Sequence, residues 1–317
     1  MTESGTTHRP PRIAALGIAS WDTLLRTDRQ PTPVSAATVR EQYGAPGGTT
    51  GNTATALARL GAAVTCMVAV GDDPLGDQVL QALAAEGIDV SWSVRRPGEP
   101  TDQATVIVSD DPPDRSVIWL PGAQVRKGDR FDIGALFAHD VVILDVADMP
   151  LFRFLTDLPA HIDPRTRILG PLNYLADPNV PDRLELALRC DTVVGSEADL
   201  CVLTDTSDAE AAIALFQGRM RGSNARLLAV TRGAQGSRLI LEDAVIEIPA
   251  IEVEAVDPTG AGDAYLAGIA WGMARRMQPI ACGRIAACVG GLATRSLGGQ
   301  AALPTAAEVA ARVPEFA

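Results

Sequence analysis

The stretch that most constrains this chain is residues 251–269, where an alternating apolar segment meets a small-residue turn and then a helical pattern. The segment ends at Asp257, and the turn that follows contains two glycines. Glycines at the start of a helix let a ligand approach the backbone, because no Cβ stands in the way. The free N–H groups of the first helical turn and the helix dipole therefore favour an anion at Gly260, Ala261 and Gly262.

Asp263 closes this turn, and its negative charge is unusual for a site that attracts an anion. A carboxylate is useful here if it takes a proton from a hydroxyl group that attacks a phosphoryl group. The alternative is structural, in which Asp263 only complements the helix dipole and the glycines only form a turn. Short motifs often match by chance, so the role of Asp263 needs support from the rest of the chain.

The composition excludes several classes of protein. With 317 residues, 47% of them hydrophobic, the chain is long enough for one large α/β domain or two ordinary ones. A net charge of −12 argues against nucleic acid as a partner, because phosphate backbones bind basic surfaces. No uncharged apolar run reaches the roughly 20 residues of a spanning helix, and the polar N-terminus has no signal-peptide core. We expect no membrane partner and a cytoplasmic protein.

Cysteines and histidines give little support to thiol or metal chemistry. The five cysteines are widely spaced and form no CxxC pair, so buried free thiols in a reducing compartment are expected. His8, His139 and His161 are scattered along the chain. We therefore expect neither a histidine-based metal site nor a catalytic triad.

Two stretches in the first fifth of the chain carry candidate substrate ligands. Asp22 follows a short apolar run and so lies near the carboxyl edge of a first strand, where open α/β sheets bind ligands. An Asp in this place is also a common turn residue. Gly47 and Gly48 precede Asn52 and indicate either a close backbone approach or a flexible loop. Asn52 is then either a polar ligand or a helix cap.

Two turns in the second half of the chain also follow runs of strand length. Ser196 and Glu197 follow one run, although a Ser-Glu pair is also a good helix N-terminus. Thr231, Gly233 and Gly236 follow the other, although a tight turn before a hairpin has the same pattern.

Three more polar residues follow apolar runs in the middle of the chain. Asp145 lies near the end of a buried parallel strand predicted over residues 140–146, Asp148 lies just beyond that strand, and Asn173 follows the next strand, predicted over residues 167–170. Each is a candidate for a substrate cleft, and the register between them stays open.

Strand-like and helix-like segments alternate along most of the chain. This alternation predicts an α/β fold, with a doubly wound, mostly parallel sheet and helices on both faces. Residues 24–45 and 101–121 differ, since their short alternating pieces predict a small β lid. We expect a disordered tail over residues 1–11 and a single domain over residues 12–317 that carries the lid.

The sequence DPTGAGDAYLAG, residues 257–268, resembles the second signature of the PfkB, or ribokinase-like, carbohydrate kinases, written D-T-x-G-A-G-D-x-F. Pro258 and Tyr265 depart from that signature and leave its Gly-Ala-Gly-Asp core intact. Residues 44–61 resemble the first signature, and Glu197 falls in a stretch similar to the family's Asn-x-x-Glu region. The matches occur in the family's order over nearly the whole chain.

The resemblance implies an ATP-dependent sugar kinase, which transfers the γ-phosphoryl group of ATP to a hydroxymethyl group of a small carbohydrate. Asp263 is then the general base, and the turn before it stabilises charge on the transferring group. The implied contacts are Asp22, Gly47, Gly48 and Asn52 for the sugar, Ser196, Thr231, Gly233 and Gly236 for ATP, Glu197 for Mg²⁺, and Asp257 for a monovalent cation such as K⁺. Ser196 stands where the family usually has Asn.

Two alternative functions and the question of a homodimer stay open. A nucleoside kinase of the same family needs an apolar slot for a base, which Trp21, Tyr43 or Trp119 could line unless they are ordinary packing. A non-catalytic sugar or nucleotide sensor is disfavoured, because a sensor does not need the Asp of the Gly-Ala-Gly-Asp core. A homodimer that forms through the lid is a further option.

Overall fold

The computed structural model describes residues 9–111, 113–158 and 163–316. Most of the predicted tail, together with His8 and His161, lies outside the described residues. The strands are β1 (Arg12–Gly17), β2 (Ser20–Thr27), β3 (Val39–Gly47), β4 (Ala63–Gly71), β5 (Val94–Arg96), β6 (Gln103–Asp110), β7 (Pro113–Leu120), β8 (Val141–Leu144), β9 (Arg167–Pro171), β10 (Thr192–Ser196), β11 (Leu227–Thr231), β12 (Ser237–Leu241) and β13 (Ala244–Ile248).

The helices of the described residues lie mostly between these strands, as the alternating pattern predicts. They are α1 (Thr49–Arg59), α2 (Pro74–Ala85), α3 (Ile133–Leu136), α4 (Met149–Asp157), α5 (Leu172–Leu175), α6 (Arg183–Ala187), α7 (Glu197–Thr204), α8 (Ala209–Met220), α9 (Ala261–Ala274), α10 (Pro279–Ala293) and α11 (Ala306–Ala310). Short 3₁₀ turns cover Gly233–Gln235 and Pro314–Phe316.

Nine strands form a large sheet in the order β13-β12-β11-β10-β9-β8-β1-β4-β5. β12 and β13 add an antiparallel edge, and the other pairings are parallel. The chain moves outward in one direction through β4 and β5 and in the other from β8 to β11. The direction of winding therefore changes between β1 and β8. Ligands of open α/β sheets bind beyond the carboxyl ends of the strands at this kind of position.

Both faces of the large sheet are covered, which explains why its strands are almost continuously apolar. On β1, Ile13 and Ala15 pack into a core with α1, α9 and α10, whereas Ala14 and Leu16 pack on the opposite face with residues of α3 to α8. Each large side chain that is fully buried in these cores contributes about 1.5–3 kcal/mol. The two cores hold the carboxyl ends of the strands in fixed positions.

Four strands form a small sheet in the order β3-β2-β6-β7. Residues 24–45 and 101–121 contribute to this sheet, in which β2 begins earlier, at Ser20; the function of the sheet as a lid stays a prediction. Asp22 therefore lies within a strand, and its interpretation as a turn residue is wrong. Register partners share a face of a sheet, so Asp22, Ala104 and Trp119 lie side by side.

The apolar alternation of residues 251–256 does not form a strand. The segment has no ladder partners, and Val256 is 55% exposed. The sequence pattern also gives no sign of β5, which has only three residues, two of them arginines. Among the described residues, no helix combines the length and the apolar character that crossing a membrane requires.

Candidate active site

The turn before α9 is held open by a glycine in a left-handed conformation. Gly260 has φ of 75° and is the N-cap of α9. A Cβ on Gly260 would lie 2.7 Å from the Cα of Gly299, so this position accepts only glycine. The N–H of Ala261 donates to the carbonyl of Pro258 at 3.1 Å. Asp263 follows in the first turn of the helix, as the sequence predicts.

Asp263 is a half-buried carboxylate whose pKa is raised to about 7. Loss of hydration is the main cause of this rise in pKa, and the charge of Asp22 adds to it. The hydrogen bond from Asn52 and the charge of Arg115 lower the pKa and partly offset the rise. A carboxylate with a pKa near 7 is well matched to proton transfer at neutral pH.

Asn52 fixes the orientation of this carboxylate. Its Nδ2 donates to Oδ2 of Asp263 at 2.8 Å, and the hydroxyl of Thr53 donates to the backbone carbonyl of Asp263 at 3.3 Å. The Oδ1 of Asn52 is buried and has no hydrogen-bond partner among the described residues. Asn52 was predicted as a ligand of the substrate. In the structure its amide nitrogen holds the predicted base, and its oxygen stays available as an acceptor.

Asp145 is a second carboxylate at the switch point, and it lies one residue beyond β8. It is buried and accepts hydrogen bonds from Oγ1 of Thr50 at 3.1 Å and from Nδ2 of Asn173 at 3.0 Å. Burial raises its pKa to about 7, with a further contribution from the charge of Asp263. Asp148, the other candidate, caps α4 by accepting from the N–H of Leu151. The structure thus places Asp145 at the site and gives Asp148 a structural role.

Asp22 projects from the small sheet and is half-buried. The hydroxyl of Ser20 donates to its Oδ1 at 2.6 Å. Burial and the charge of Asp102 raise its pKa. A Cβ on Gly47 would lie 2.1 Å from Oδ2 of Asp22, so Gly47 makes room for this carboxylate. Gly48, at φ of 80°, starts α1.

The predicted nucleotide residues lie at the carboxyl ends of two neighbouring strands. Ser196 of β10 pairs in register with Thr231 of β11, whose hydroxyl donates to the carbonyl of Gly195 at 3.3 Å. The hydroxyl of Ser196 takes part in a capping box with Asp199, as the structural alternative for the Ser-Glu pair proposed. Glu197 is partly exposed and lies 4.0 Å from Nε of Arg232.

The glycines of the next turn have different surroundings. Gly236, at φ of 85°, has no space for a Cβ, which would lie 2.1 Å from the carbonyl oxygen of Ile248. It therefore shapes the hairpin that follows. Gly233, at φ of 56°, has nothing within 4 Å of the equivalent position, so its backbone is open to a ligand.

Asp257 is 1% exposed and accepts hydrogen bonds only from uncharged groups among the described residues. Its Oδ1 accepts from the N–H of Thr259 at 2.9 Å and from the hydroxyl of Thr259 at 2.6 Å, and its Oδ2 accepts from the N–H of Gly298 at 2.8 Å. A buried carboxylate without a cationic partner suits a bound cation.

The donor set also fits a magnesium ion that is held mainly by its nucleotide. In the described part of the chain, no three His, Cys, Asp or Glu side chains form a cluster that could bind a metal. Mg²⁺ needs few protein ligands when phosphates and water complete its octahedron, and the partly exposed carboxylate of Glu197 can meet that need.

A cavity of about 700 Å³ opens at the opposite, amino edge of the large sheet, where Arg167, Asp191 and Met277 are among its lining residues. Open α/β sheets bind substrates at the carboxyl edge, where Asp22, Asp145 and Asp263 converge. We therefore place the active site at the carboxyl edge.

Comparison with known proteins agrees with this geometry. The family model described as "pfkB family carbohydrate kinase" matches residues 11–306. The chain belongs to the pfkB family of carbohydrate kinases. This kinase is 28% identical to a nucleoside kinase of Methanothermobacter thermautotrophicus, over 95% of this chain and 94% of that protein. It is 27% identical to a ribokinase of Bacillus subtilis, over 94% of this chain and 97% of that protein.

Solved structures share its fold. A ribokinase of Giardia lamblia has a TM-score of 0.82 at 16% identity, over 97% of this chain and 99% of that chain. The resemblance inferred from the glycine-rich signatures and the doubly wound fold are both confirmed. The reaction class is ATP-dependent phosphorylation of a carbohydrate.

Two residues of the site were not assigned from the sequence. Asp145 had a signal, since an acid ends an apolar run there, but its register was open. Arg115 of β7 reaches the turn before α9, where its Nη1 donates to the hydroxyl of Thr259 at 3.0 Å. Nothing in the sequence near Arg115 indicated this contact, because it depends on how the small sheet lies on the large one.

Proposed function

We propose that this kinase phosphorylates a hydroxymethyl group of a small sugar and that Asp263 is its general base. The observation that carries the proposal is the half-buried carboxylate of Asp263, which Asn52 orients and whose pKa is raised to about 7. Asp263 lies beside the glycine turn that starts α9, so one locus offers both a proton acceptor and an anion site.

The reaction at this locus is a direct transfer. The acceptor hydroxyl gives its proton to Asp263 while its oxygen forms a bond to the γ-phosphorus. The bond from that phosphorus to the β–γ bridging oxygen breaks, and its electron pair leaves with ADP. The N–H groups of Gly260, Ala261 and Gly262 stabilise the charge on the transferring group, for which Ala261 exchanges its bond to Pro258.

The remaining assigned residues position the two substrates. Asp22, with Gly47 and Gly48 behind it, accepts hydrogen bonds from other hydroxyls of the sugar. Oδ1 of Asn52 offers a further acceptor. Thr231, Gly233 and Gly236 form the turn that faces the nucleotide, and the backbone of Ser196 starts the helix beside it.

Two cations complete the site in this proposal. Magnesium supplies charge neutralisation on the phosphates, and Glu197 holds it through water. A monovalent cation such as K⁺ binds beside Asp257, which is buried among uncharged donors. The bound cation holds the loops of Thr259 and Gly298 in a fixed conformation, and this also fixes the conformation of the glycine turn.

The small sheet acts as a lid in this proposal, and residues 12–317 form one domain. Closure of the lid excludes water, which competes with the sugar as a nucleophile. The edge strand β7 exposes Ile118 and Leu120 on the face opposite Asp22, which suits a homodimer formed through the lid. Free cysteines support a cytoplasmic location.

A nucleoside acceptor is the second candidate, and one observation favours it. Val117 and Trp119, 50% and 52% exposed, lie on the face of the small sheet that carries Asp22. An apolar wall beside the sugar site can stack a base. The indole N–H of Trp119 donates to buried Asp102 at 2.6 Å, which fixes the ring in place.

An ATP-consumption screen tests the proposed reaction. Ketoses, aldoses, sugar acids and nucleosides are each supplied with magnesium and potassium, and Asp263→Asn serves as the matched control. We expect turnover with a neutral sugar and none above background in the control. Turnover with nucleosides alone would transfer the assignment to the second candidate, and turnover that survives in Asp263→Asn would overturn the proposed base.

A further inference from the structure

The position of Arg115 in the small sheet directs its side chain towards the large sheet. Val108 of β6 is the register partner of both Arg26 and Arg115. Arg26 lies four residues beyond Asp22 on β2, hence on the same face. Arg115 therefore shares the face of Asp22, which looks onto the carboxyl edge of the large sheet.

The guanidinium group of Arg115 contacts the turn that receives the phosphoryl group. Its Nη1 donates to Oγ1 of Thr259 at 3.0 Å, and that hydroxyl in turn donates to Asp257 at 2.6 Å. Thr259 directly precedes Gly260, which is the N-cap of α9. A positive charge carried by the small sheet thus lies at the entrance to the anion site.

The same charge acts on the proposed base. Arg115 lowers the pKa of Asp263, against the effect of burial. One guanidinium is therefore close enough to influence both the carboxylate that takes the proton and the turn that faces the phosphoryl group. The guanidinium group thus lies near the space between the carboxylate and the turn, which is the space that the transferring phosphoryl group crosses.

We propose that Arg115 is a catalytic residue, which contacts an oxygen of the transferring phosphoryl group when both substrates are bound. This inference rests on the proposed kinase reaction. The acceptor side holds Asp22, Asp145 and Asp263, so an incoming phosphoryl group meets several carboxylates and needs a cation. Arginine suits this task because it stays charged and its planar donors match phosphoryl oxygens.

In the bound state the guanidinium exchanges the hydroxyl of Thr259 for a phosphoryl oxygen. Arg115 gives up no proton and forms no covalent bond; it stabilises the charge that spreads over the oxygens as the bond to ADP breaks. The competing explanation is a latch, in which Arg115 only holds the small sheet closed through Thr259. The two explanations differ in what the Thr259 hydroxyl contributes.

Substitution of Arg115 gives the first test. Arg115→Gln should lower kcat by about a hundredfold or more, as expected for loss of an arginine that stabilises a phosphoryl group. Arg115→Lys should recover only part of this loss. The matched control is Arg26→Gln. Arg26 is a cation on the same face of the small sheet, and it pairs with Asp110 and Glu41. Equal losses in Arg26→Gln and Arg115→Gln would overturn the proposal.

A double substitution separates the phosphoryl contact from the latch. If Arg115 acts only through Thr259, Thr259→Val alone should reproduce the loss, and the double variant should be no worse. We expect instead that Thr259→Val is much milder. We also expect added guanidinium ion to restore part of the turnover of Arg115→Ala. No rescue, together with a Thr259→Val loss equal to that of Arg115→Gln, would establish the latch.

A binding measurement keeps the test independent of the acceptor's identity. Calorimetry compares ADP alone with ADP plus aluminium fluoride, a mimic of the transferring phosphoryl group, in wild type and Arg115→Gln. We expect equal affinity for ADP and a loss of at least tenfold for the fluoride complex in the variant. An unchanged affinity for the fluoride complex would refute the contact. A wild type that binds the complex in an Arg115-dependent way yet phosphorylates no sugar would refute only the proposed acceptor.

Discussion

The acceptor side of the site and its nucleotide side differ in the kinds of polar group that they contain. On the acceptor side, Asp22, Asp145 and Asp263 are carboxylates whose pKa values burial raises. On the nucleotide side, the turn after β11 offers open backbone at Gly233, and Glu197 is partly exposed beside Arg232. Ser196 has its hydroxyl engaged in a helix cap.

This difference separates the two tasks of the enzyme. Carboxylates that lose hydration on burial gain basicity, so proton transfer belongs to the acceptor side. Backbone donors and a hydrated cation bind phosphates without any change of protonation, so the nucleotide side mainly positions ATP. Substitutions on the acceptor side should therefore change turnover and its pH dependence, and those on the nucleotide side should change ATP and metal requirements.

The largest effect is expected at Asp263. Asp263→Asn keeps the shape of the side chain and removes the proton acceptor, so kcat should fall by about 10²–10⁴-fold. ADP affinity should stay close to wild type, and the melting temperature at neutral pH should not fall, because the raised pKa of Asp263 means that the fold disfavours its ionised form and Asn carries no charge. Steady-state kinetics and calorimetry check both. Near-full turnover in this variant would show that proton transfer does not depend on the acceptor side, and the proposed division of tasks between the two sides would be wrong.

The next effect is expected at Asp22. Asp22→Ala should weaken sugar binding by well over tenfold, since each charge-assisted hydrogen bond lost is worth about 1.5–3 kcal/mol. ATP affinity should be nearly unchanged, because Asp22 lies on the small sheet, whereas Thr231 lies on β11 of the large sheet. Titrations of each substrate measure the two affinities. A variant that loses ATP affinity and keeps sugar affinity would reverse the assignment.

The cation proposed at Asp257 joins the two sides, and its removal should cost less. Activity in tetramethylammonium buffer should be about tenfold below that in potassium buffer, equivalent to about 1.4 kcal/mol in the barrier. The physical reason is that the glycine turn loses order when Asp257 has no counter-charge. Equal rates in sodium, potassium and tetramethylammonium would contradict this cation site.

Asp145 offers a test through stability. Its pKa is raised from 3.8 to about 7 in the folded protein, so the folded state holds this proton more tightly than the unfolded state. Wild type should then lose stability as pH rises from about 4 to about 7. Asp145→Asn lacks this loss, and its stability relative to wild type should improve by about 1–3 kcal/mol between pH 5 and pH 8.

Urea denaturation of both proteins at the two pH values measures the difference. The same variant should move the acid limb of kcat/KM to lower pH, because the charge of Asp145 no longer opposes ionisation of Asp263. Parallel stability curves would show that Asp145 keeps an ordinary pKa and that the contrast between the two sides is smaller than proposed.

The smallest effect is expected at Glu197. Glu197→Gln should raise the magnesium concentration for half-maximal activity by about threefold to tenfold and leave the sugar KM unchanged, since a water-mediated contact contributes modestly. A magnesium titration at saturating ATP measures this. An unaltered titration would show that the ion is held without Glu197.

Much of the fold could be predicted from the sequence, because buried strands and their helices have strong periodic patterns. The strands predicted at β8 and β9 agree with the structure within a few residues, and the helical pattern after the glycine turn coincides with α9. Residues 251–256 have the alternating pattern that is typical of a strand, yet Ile251 and Val253 pack on the core without forming a ladder. β5 was missed because three residues carry no periodicity.

The site was predictable where one motif contains the chemistry and unpredictable where distant segments meet. Asp263 and its glycine turn lie within a few residues, so the sequence displays them together. The bond from Asn52 to Asp263 spans 211 positions, and the contact of Arg115 with Thr259 spans 144. Such contacts depend on how α1 and the small sheet pack on the rest of the molecule, and local sequence patterns do not predict that packing.

The cysteines have a practical consequence for measuring native-state opening. Cys66, Cys190, Cys282 and Cys288 are buried, and burial raises the pKa of the Cys66 thiol to about 12 and that of Cys282 to about 11. Thiolates are the reactive species, so a labelling reagent can reach these groups only when the structure opens. Cys201 is partly exposed and labels first. The slower labelling rates of the buried cysteines then report how often the structure around each of them opens transiently, without any denaturant.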